Sequence, residues 1–270
     1  MRIALSNVAW DVHEDEEVAR LLARNSIDAI DIAPGKYFPD PQSAKPDEVA
    51  RVRRSWADRG VAITGMQALL FGTKGLNLFG TPESRAAMRD RLAAICRIGE
   101  SLGATKLVFG SPKNRDRGGL TDAAASAVAI PFFRELGDAA VRHGVVFCIE
   151  PAPPGYGGNF LTTTVEAAAM VRAIDHPGIR LHLDTGILTL CGEDAAATLD
   201  GHADIVGHVH ASEPHLVPLG DGGVPHARIA DALRRKLPAH VVSIEMVATK
   251  DEPHMHSIAR ALDVARRAYG

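Results

Sequence analysis

Short runs rich in Val, Ile and Leu alternate along the chain with longer amphipathic or Ala-rich stretches from end to end. The short runs predict eight strands: Ile3–Val8, Ala29–Ala33, Ala62–Leu69, Lys106–Ser111, Val145–Glu150, Ile179–Asp184, Ile205–Ala211 and Val241–Val247. The longer stretches predict helices over Asp47–Arg59, Pro82–Leu102, Asp122–His143, Thr164–Ile174, His226–Lys236 and Pro253–Ala268, with a weaker one around Glu193–Leu199. Thr81-Pro82 reads as an N-cap followed by the proline-tolerant first helical position, and Thr121-Asp122 as a polar cap before an Ala-rich run. Gly60, Gly103 and Gly144 each stand just before the next strand, where a helix end favours glycine. No Ser-rich or charged linker interrupts the alternation, so residues 1–270 are expected to form one domain.

Eight β/α repeats in this length match an α/β fold of the (β/α)8 TIM barrel type. A doubly wound sheet usually has fewer strands and a glycine-rich first turn, whereas the first turn here, SNVAWDVHEDEE, has no glycine. Charge narrows the partners. Lys and Arg total 30 against 33 Asp and Glu, a formal net charge of -3, which leaves no global pull toward nucleic acid or an anionic membrane. Cys96, Cys148 and Cys191 are odd in number and lack CxxC spacing, as expected of reduced thiols in a cytoplasmic protein. The amino terminus is apolar for too few residues to act as a signal segment, and no run approaches the ~18 apolar residues of a membrane span.

In such a barrel the active site lies at the carboxyl ends of the strands, and there four consecutive strands end in ionisable groups. The fifth supplies Glu150, the sixth Asp184, the seventh His210 and the eighth Glu245, at intervals of 34, 26 and 35 residues. One acidic group at a strand end is ordinarily a cap or an ion-pair partner. Three carboxylates and an imidazole crowding one mouth call for a cation, because burial and mutual repulsion both oppose ionisation. Three oxygens and one nitrogen form a mostly hard set that suits Mn²⁺, Mg²⁺ or Co²⁺, with positions left for water and substrate. A structural zinc would want thiolates, which the cysteines do not place there.

The order Glu, Asp, His, Glu on strands five to eight resembles the xylose-isomerase-like TIM barrels. That sugar phosphate isomerase/epimerase superfamily includes D-tagatose 3-epimerase and D-psicose 3-epimerase. The resemblance runs through FGSPKNR, EPAPPGYGGNFLTT, LHLDTG, HVHASE, LGDGG and SIEM, and so covers essentially the whole chain. It implies one divalent metal ion, Mn²⁺ foremost, held by Glu150, Asp184, His210 and Glu245, with Glu150 and Glu245 also serving as the acid/base pair. A sugar carbonyl and its neighbouring hydroxyl on such an ion would acidify the C–H between them and give a cis-enediolate. Proton removal from one face and return to the other is epimerisation, while return to the adjacent carbon is aldose–ketose isomerisation. The implied substrate is a sugar, sugar acid or sugar phosphate, and homo-oligomerisation is left open. In the ketose 3-epimerases, a glutamate follows the first metal glutamate by six residues, a histidine follows the metal aspartate by three, and an arginine follows the metal histidine by six. Here those positions hold Tyr156, Ile187 and Leu216, so the pocket is expected to be reshaped away from a free ketohexose.

Further candidates lie nearby. His182 and His208 precede Asp184 and His210 by two residues, so strand alternation points them inward as substrate contacts or supporting groups. Tyr156 is a candidate substrate contact, and Gln67 and Trp10 could line the mouth, Gln67 as a substrate contact, or belong to core or rim packing. Glu213 could hydrogen-bond a sugar hydroxyl or cap its own loop. Lys113, Arg115 and Arg117 could hold an anion after strand four or be a solvated surface loop. GDGG at 220–223 could offer backbone N–H groups to a phosphate, and His254 with His256 resembles a metal pair superficially. Three other functions compete: a dehydratase or lyase of the same superfamily, a noncatalytic partner subunit, and a nuclease. Family-2 AP endonucleases need further histidines on strands three and four and a D-x-x-H after strand six. This chain has Ile187 there, and no histidine between His13 and His143.

Overall fold

The computed structural model describes residues 1–270 and forms a closed, all-parallel barrel of eight strands in sequence order. The strands are β1 (Arg2–Ser6), β2 (Ala29–Ile32), β3 (Ala62–Met66), β4 (Lys106–Phe109), β5 (Val146–Ile149), β6 (Ile179–Asp184), β7 (Val206–Ser212) and β8 (Val241–Glu245). The outer ring is α1 (Asp15–Arg24), α2 (Pro46–Ala57), α3 (Pro82–Leu102), α4 (Asp122–Arg142), α5 (Thr164–Ile174), α6 (Thr185–Leu190), α7 (Ala195–His202), α8 (His226–Lys236) and α9 (His254–Tyr269). The expected fold class holds. The first connection contains a helix beyond those named from the pattern, α1. The weak segment around residues 193–199 resolves into α7, preceded by a separate short α6 that Asp184 caps.

Strand ends explain most boundary differences. β3 stops at Met66 instead of Leu69 because Ala68 adopts a left-handed backbone, φ 52°, that no ladder accommodates. β1 ends at Ser6, whose side chain accepts from the Val8 N–H and starts a 3₁₀ turn. β5 ends one residue before Glu150, which still donates its N–H to Phe109 at 3.1 Å, so the glutamate sits on the rim with its backbone held.

Helices dock through apolar stripes on the barrel's outer face. On α4, Phe133 meets Phe109 of β4 edge-on at 5.3 Å and Phe132 at 5.5 Å, pinning helix to strand. Trp10 and Trp56, both fully buried, contact at 6.2 Å, and the Trp10 indole N–H donates to Asp15. Trp10 is therefore packing rather than mouth. All three cysteines are free. Burial pushes the thiols of Cys96 and Cys148 up to about 12, which keeps them unreactive. No helix is long and apolar enough to cross a membrane. Phe133→Ala is expected to lose about 3–5 kcal/mol of stability, read by denaturant unfolding, because it empties the α4–β4 contact.

Candidate metal and acid–base site

Inward positions near the carboxyl ends of β2, β6, β7 and β8, with Glu150 just past β5, converge in the barrel mouth. The ladder shifts register at two places, between Ile30 and Asp31 on β2 and between Leu181 and His182 on β6. Both shifts fall beside site residues, as bulges that re-aim side chains commonly do. One ligand atom each from Glu150, His182, Asp184 and His210 lies within 4.8 Å of the others. Glu245 joins through His210, its Oε2 being 3.2 Å from Nδ1.

Each carboxylate is held differently. Asp184 accepts from the Ile187 N–H at 2.7 Å and from the Ser212 hydroxyl at 2.7 Å, so β6, α6 and β7 all fix it. Burial and then the Glu245 charge push its pKa up to about 6. Glu245 accepts from the Gln67 amide, which makes Gln67 a brace for this glutamate from the end of β3. Glu150 lies over Gly110, where any Cβ would overlap its Oε2, so only glycine leaves the carboxylate its place. Burial, followed by the Glu245 and Asp184 charges, raises Glu150 well above the usual carboxylate range.

The imidazoles cluster edge-on inside the barrel, with centroids 4.2 Å apart for His182 and His210 and 5.2 Å for His208 and His210. His182 is fully buried, neither ring nitrogen has a hydrogen-bond partner, and Nε2 stands 3.4 Å from Glu150. Burial and the neighbouring imidazoles hold it well below its ordinary pKa. His210 also carries an unpartnered buried Nε2, 3.8 Å from Asp31. Burial opposes its charge, but the Glu245 and Asp31 carboxylates outweigh that and raise it well above its usual range.

Asp31 was not among the residues expected from sequence. It is buried on β2, accepts from His208 Nε2 at 2.7 Å and from the Thr64 hydroxyl at 2.9 Å, and sits against Gly65, where a Cβ would come within 2.7 Å. Burial alone would raise its pKa, yet His208 and His210 draw it well below the ordinary carboxylate value. Its sequence context, AIDIA, reads as an ordinary half-buried strand, and only closure of the barrel, which brings a β7 side chain to it across the interior, shows its partner.

The other expected contacts divide. Tyr156 lines the cavity and accepts the His215 N–H at 2.8 Å. His208 lies deeper and is engaged by Asp31 rather than by the cavity. Glu213 is fully buried and saturated, accepting from the Gly220 and Val224 N–H groups at 2.7 and 3.0 Å and facing His226 at 3.1 Å; it caps its loop and is not a sugar contact. The 220–223 glycine turn therefore spends the Gly220 N–H on Glu213, as does Val224 just after it. Lys113 is exposed and outside the cavity lining, because Pro112 begins a turn that aims it outward. Arg115, by contrast, is buried, and its Nη2 donates to the Glu150 carbonyl at 2.6 Å and to Gly110 at 3.3 Å. His254 contacts Glu14 at 2.7 Å and His256 is exposed, so they make no metal pair.

The carboxylates open into a cavity of about 350 Å³ bounded by Glu150, Asp184, Glu245, Tyr156, His215 and Leu216 among others. A larger groove of about 580 Å³ at the opposite end of the barrel is lined by Arg2, Asp28 and Arg266, and Arg2 already pairs with Asp28 at 2.9 Å. The donor set at the carboxyl end fits a divalent ion. It concentrates acidic oxygens that repel one another, leaves the buried nitrogens of His182 without partners, and holds His210 Nδ1 and Glu245 Oε2 3.2 Å apart, near the ~3 Å expected between adjacent ligands of an octahedral ion at ~2.1 Å.

Three comparisons bear on this arrangement. An L-ribulose 3-epimerase of Methylomonas sp. (strain DH-1) is 28% identical over 109 residues, which span 40% of this chain and 38% of that protein. The chain thus matches well under half the length of this curated relative. A D-psicose 3-epimerase crystallised in the presence of D-fructose superposes with a TM-score of 0.82 at 19% identity, over 100% of both chains. The D-psicose 3-epimerase of Clostridium cellulolyticum H10 with D-tagatose gives 0.83 at 16% identity, over 100% of this chain and 99% of that one. At such identities these superpositions show a shared barrel. Residues 19–268 match the family described as xylose isomerase-like TIM barrel, and with nearly the whole chain covered, this protein belongs to that family.

Proposed function

We propose that this chain is a divalent-metal-dependent sugar isomerase or epimerase that moves a proton between two glutamates. One observation carries the reading: among the converging ionisable groups, the two glutamates keep the most exposed surface, 16% for the Glu150 side chain and 14% for Glu245, while Asp184, His182 and His210 are buried. This difference in exposure supports separate holding and reacting roles. Asp184 and His210 are fixed by backbone and side-chain contacts, whereas Glu150 and Glu245 present the larger surface to the cavity, whose lining Asp184 also joins. The epimerases among the similar proteins support the same class of chemistry.

Glu150, Asp184 and His210 would hold the ion with Glu245, and His182 lies beside them as a further donor. When bound, a divalent ion supplies Lewis acidity to a sugar carbonyl and adjacent hydroxyl, lowering the pKa of the C–H between them. Mn²⁺ is the ion we favour for an oxygen-rich set with imidazole. One glutamate then takes the proton from one face and its counterpart returns a proton, which needs both carboxylates within reach of the same carbon or of neighbouring ones. Gln67 keeps the Glu245 carboxylate turned to the cavity, and Arg115 fixes the backbone of Glu150 from behind. Asp31 and His208 form a buried pair beneath His210 that limits how its ring can turn.

Three tests follow from these roles. In the purified protein, elemental analysis should find about one Mn²⁺, Mg²⁺ or Co²⁺ per chain, lost in Asp184→Asn. Equal stabilisation of both proteins by added Mn²⁺ would remove Asp184 from the ligand set, since a ligand stabilises only the state that binds it. Glu245→Gln should lower sugar C–H exchange in D₂O by about 10²–10⁴-fold with an unchanged circular dichroism spectrum. Gly110→Ala should cost activity similarly by displacing Glu150, and full activity in that variant would show that Glu150 need not occupy its observed position.

A further inference from the structure

Above its carboxylate floor the cavity presents a different chemistry. Its walls come from Pro112, Ile187, Leu216 and the rings of Tyr156 and His215, and none of its lining residues is a lysine or arginine. Lys113 projects outward, and the buried Arg115 lies behind Glu150 with its Nη2 on two carbonyl groups. The polar groups on the wall are few. The Tyr156 hydroxyl already accepts the His215 N–H, and the His215 side chain stands exposed at the rim with its ring 5.9 Å from that of Tyr156.

This apolar wall is held in place against backbone preference. His215 and Leu216 are consecutive residues in the left-handed region, with φ of 62° and 55°, where residues bearing side chains are uncommon. Three hydrogen bonds brace the turn: His215 N–H to the Tyr156 hydroxyl at 2.8 Å, Leu216 N–H to the Glu213 carbonyl at 2.9 Å, and Val247 N–H to the Leu216 carbonyl at 3.0 Å. The saturated Glu213 carboxylate anchors the same turn through Gly220, Val224 and His226. Sparsely populated backbone held by surrounding contacts is characteristic of ligand clamps. Here its product is an isobutyl side chain in the wall of a sugar-sized cavity that Ile187 also lines.

We propose that the substrate is a neutral deoxy sugar, bound with its reacting carbons over the glutamates and a methyl end against Leu216 and Ile187. The inference rests on the sugar isomerase or epimerase reading and names the substrate class for that site. A hydroxymethyl end would exchange water for aliphatic carbon and lose its hydrogen bonds. A phosphate or carboxylate end would bring further negative charge beside three acidic residues, with no lysine or arginine in the lining and only the His215 imidazole at the rim to offset it. A methyl end loses nothing and buries apolar surface.

The test uses the full chain loaded with Mn²⁺. Hexitols, their 6-deoxy counterparts and hexitol 6-phosphates, D and L, cannot enolise and are titrated by calorimetry. The matching ketoses and ketose 6-phosphates are followed by NMR for C–H exchange in D₂O. The deoxy member of a pair should bind about ten-fold more tightly and exchange with about ten-fold higher kcat/KM, and the phosphates should not bind measurably. Leu216→Asn places an amide where asparagine tolerates the left-handed backbone, and should bring the deoxy preference close to one without lowering the melting temperature. Ile187→Thr should reduce the preference independently. Equal or weaker binding of the deoxy compounds, tighter binding of a phosphate, or a preference untouched in both variants overturns the proposal. In the first two cases, exchange with any sugar leaves the proton-transfer reading intact. A deoxy preference in binding with no exchange of any sugar does the reverse, and no binding or exchange at all overturns both.

Discussion

Three carboxylates share one barrel mouth, and much of the surrounding structure is arranged around keeping them there. Burial disfavours the charge on Glu150 and Asp184, and each negative neighbour disfavours it further. Several kcal/mol oppose each buried ion unless hydrogen bonds or a cation compensate. The chain meets part of that cost itself: Ser212 and the Ile187 N–H on Asp184, Gln67 and His210 on Glu245, and the Arg115 guanidinium behind Glu150. A divalent ion, as proposed above, would meet the rest, with the unpartnered nitrogens of His182 beside the oxygens.

The barrel supplies what these groups need, because parallel strands in sequence order all end at the same mouth. Distant residues become neighbours there. Gln67 reaches Glu245 across 178 positions of sequence, and His208 reaches Asp31 across 177. Two glycines make room, Gly65 for Asp31 and Gly110 for Glu150. Each is the small residue of a strand or strand end beside a large acidic neighbour, and a methyl group at either would push a carboxylate out of line.

The floor and the wall of the cavity answer to different demands. Acidic and imidazole groups at the floor are fixed by the strands, which tolerate little displacement. The wall belongs to the loops after β5 and β7, where Tyr156 and the strained His215–Leu216 turn are joined by a hydrogen bond. Loops carried by a rigid barrel can change a binding surface without moving the chemistry beneath it.

Much of this protein was legible in its sequence. Alternating strand and helix patterns are local, so the number and order of barrel strands, and the strand ends bearing Glu150, Asp184, His210 and Glu245, could be read from spacing alone. Inward alternation likewise placed His182 and His208 on the interior face. Spacing could not say what lies across the barrel, because contacts between strands far apart in sequence depend on register and closure. Asp31 therefore looked like an ordinary strand residue until β2 met the His208 ring, and Glu213 looked able to reach a sugar until the following loop folded back over it. Lys113 and Arg115 stand two residues apart in one basic loop, and only the 3₁₀ turn at Pro112 turned the first to solvent and buried the second behind Glu150. Which groups a strand carries is a property of the chain, whereas which of them meet is decided by packing.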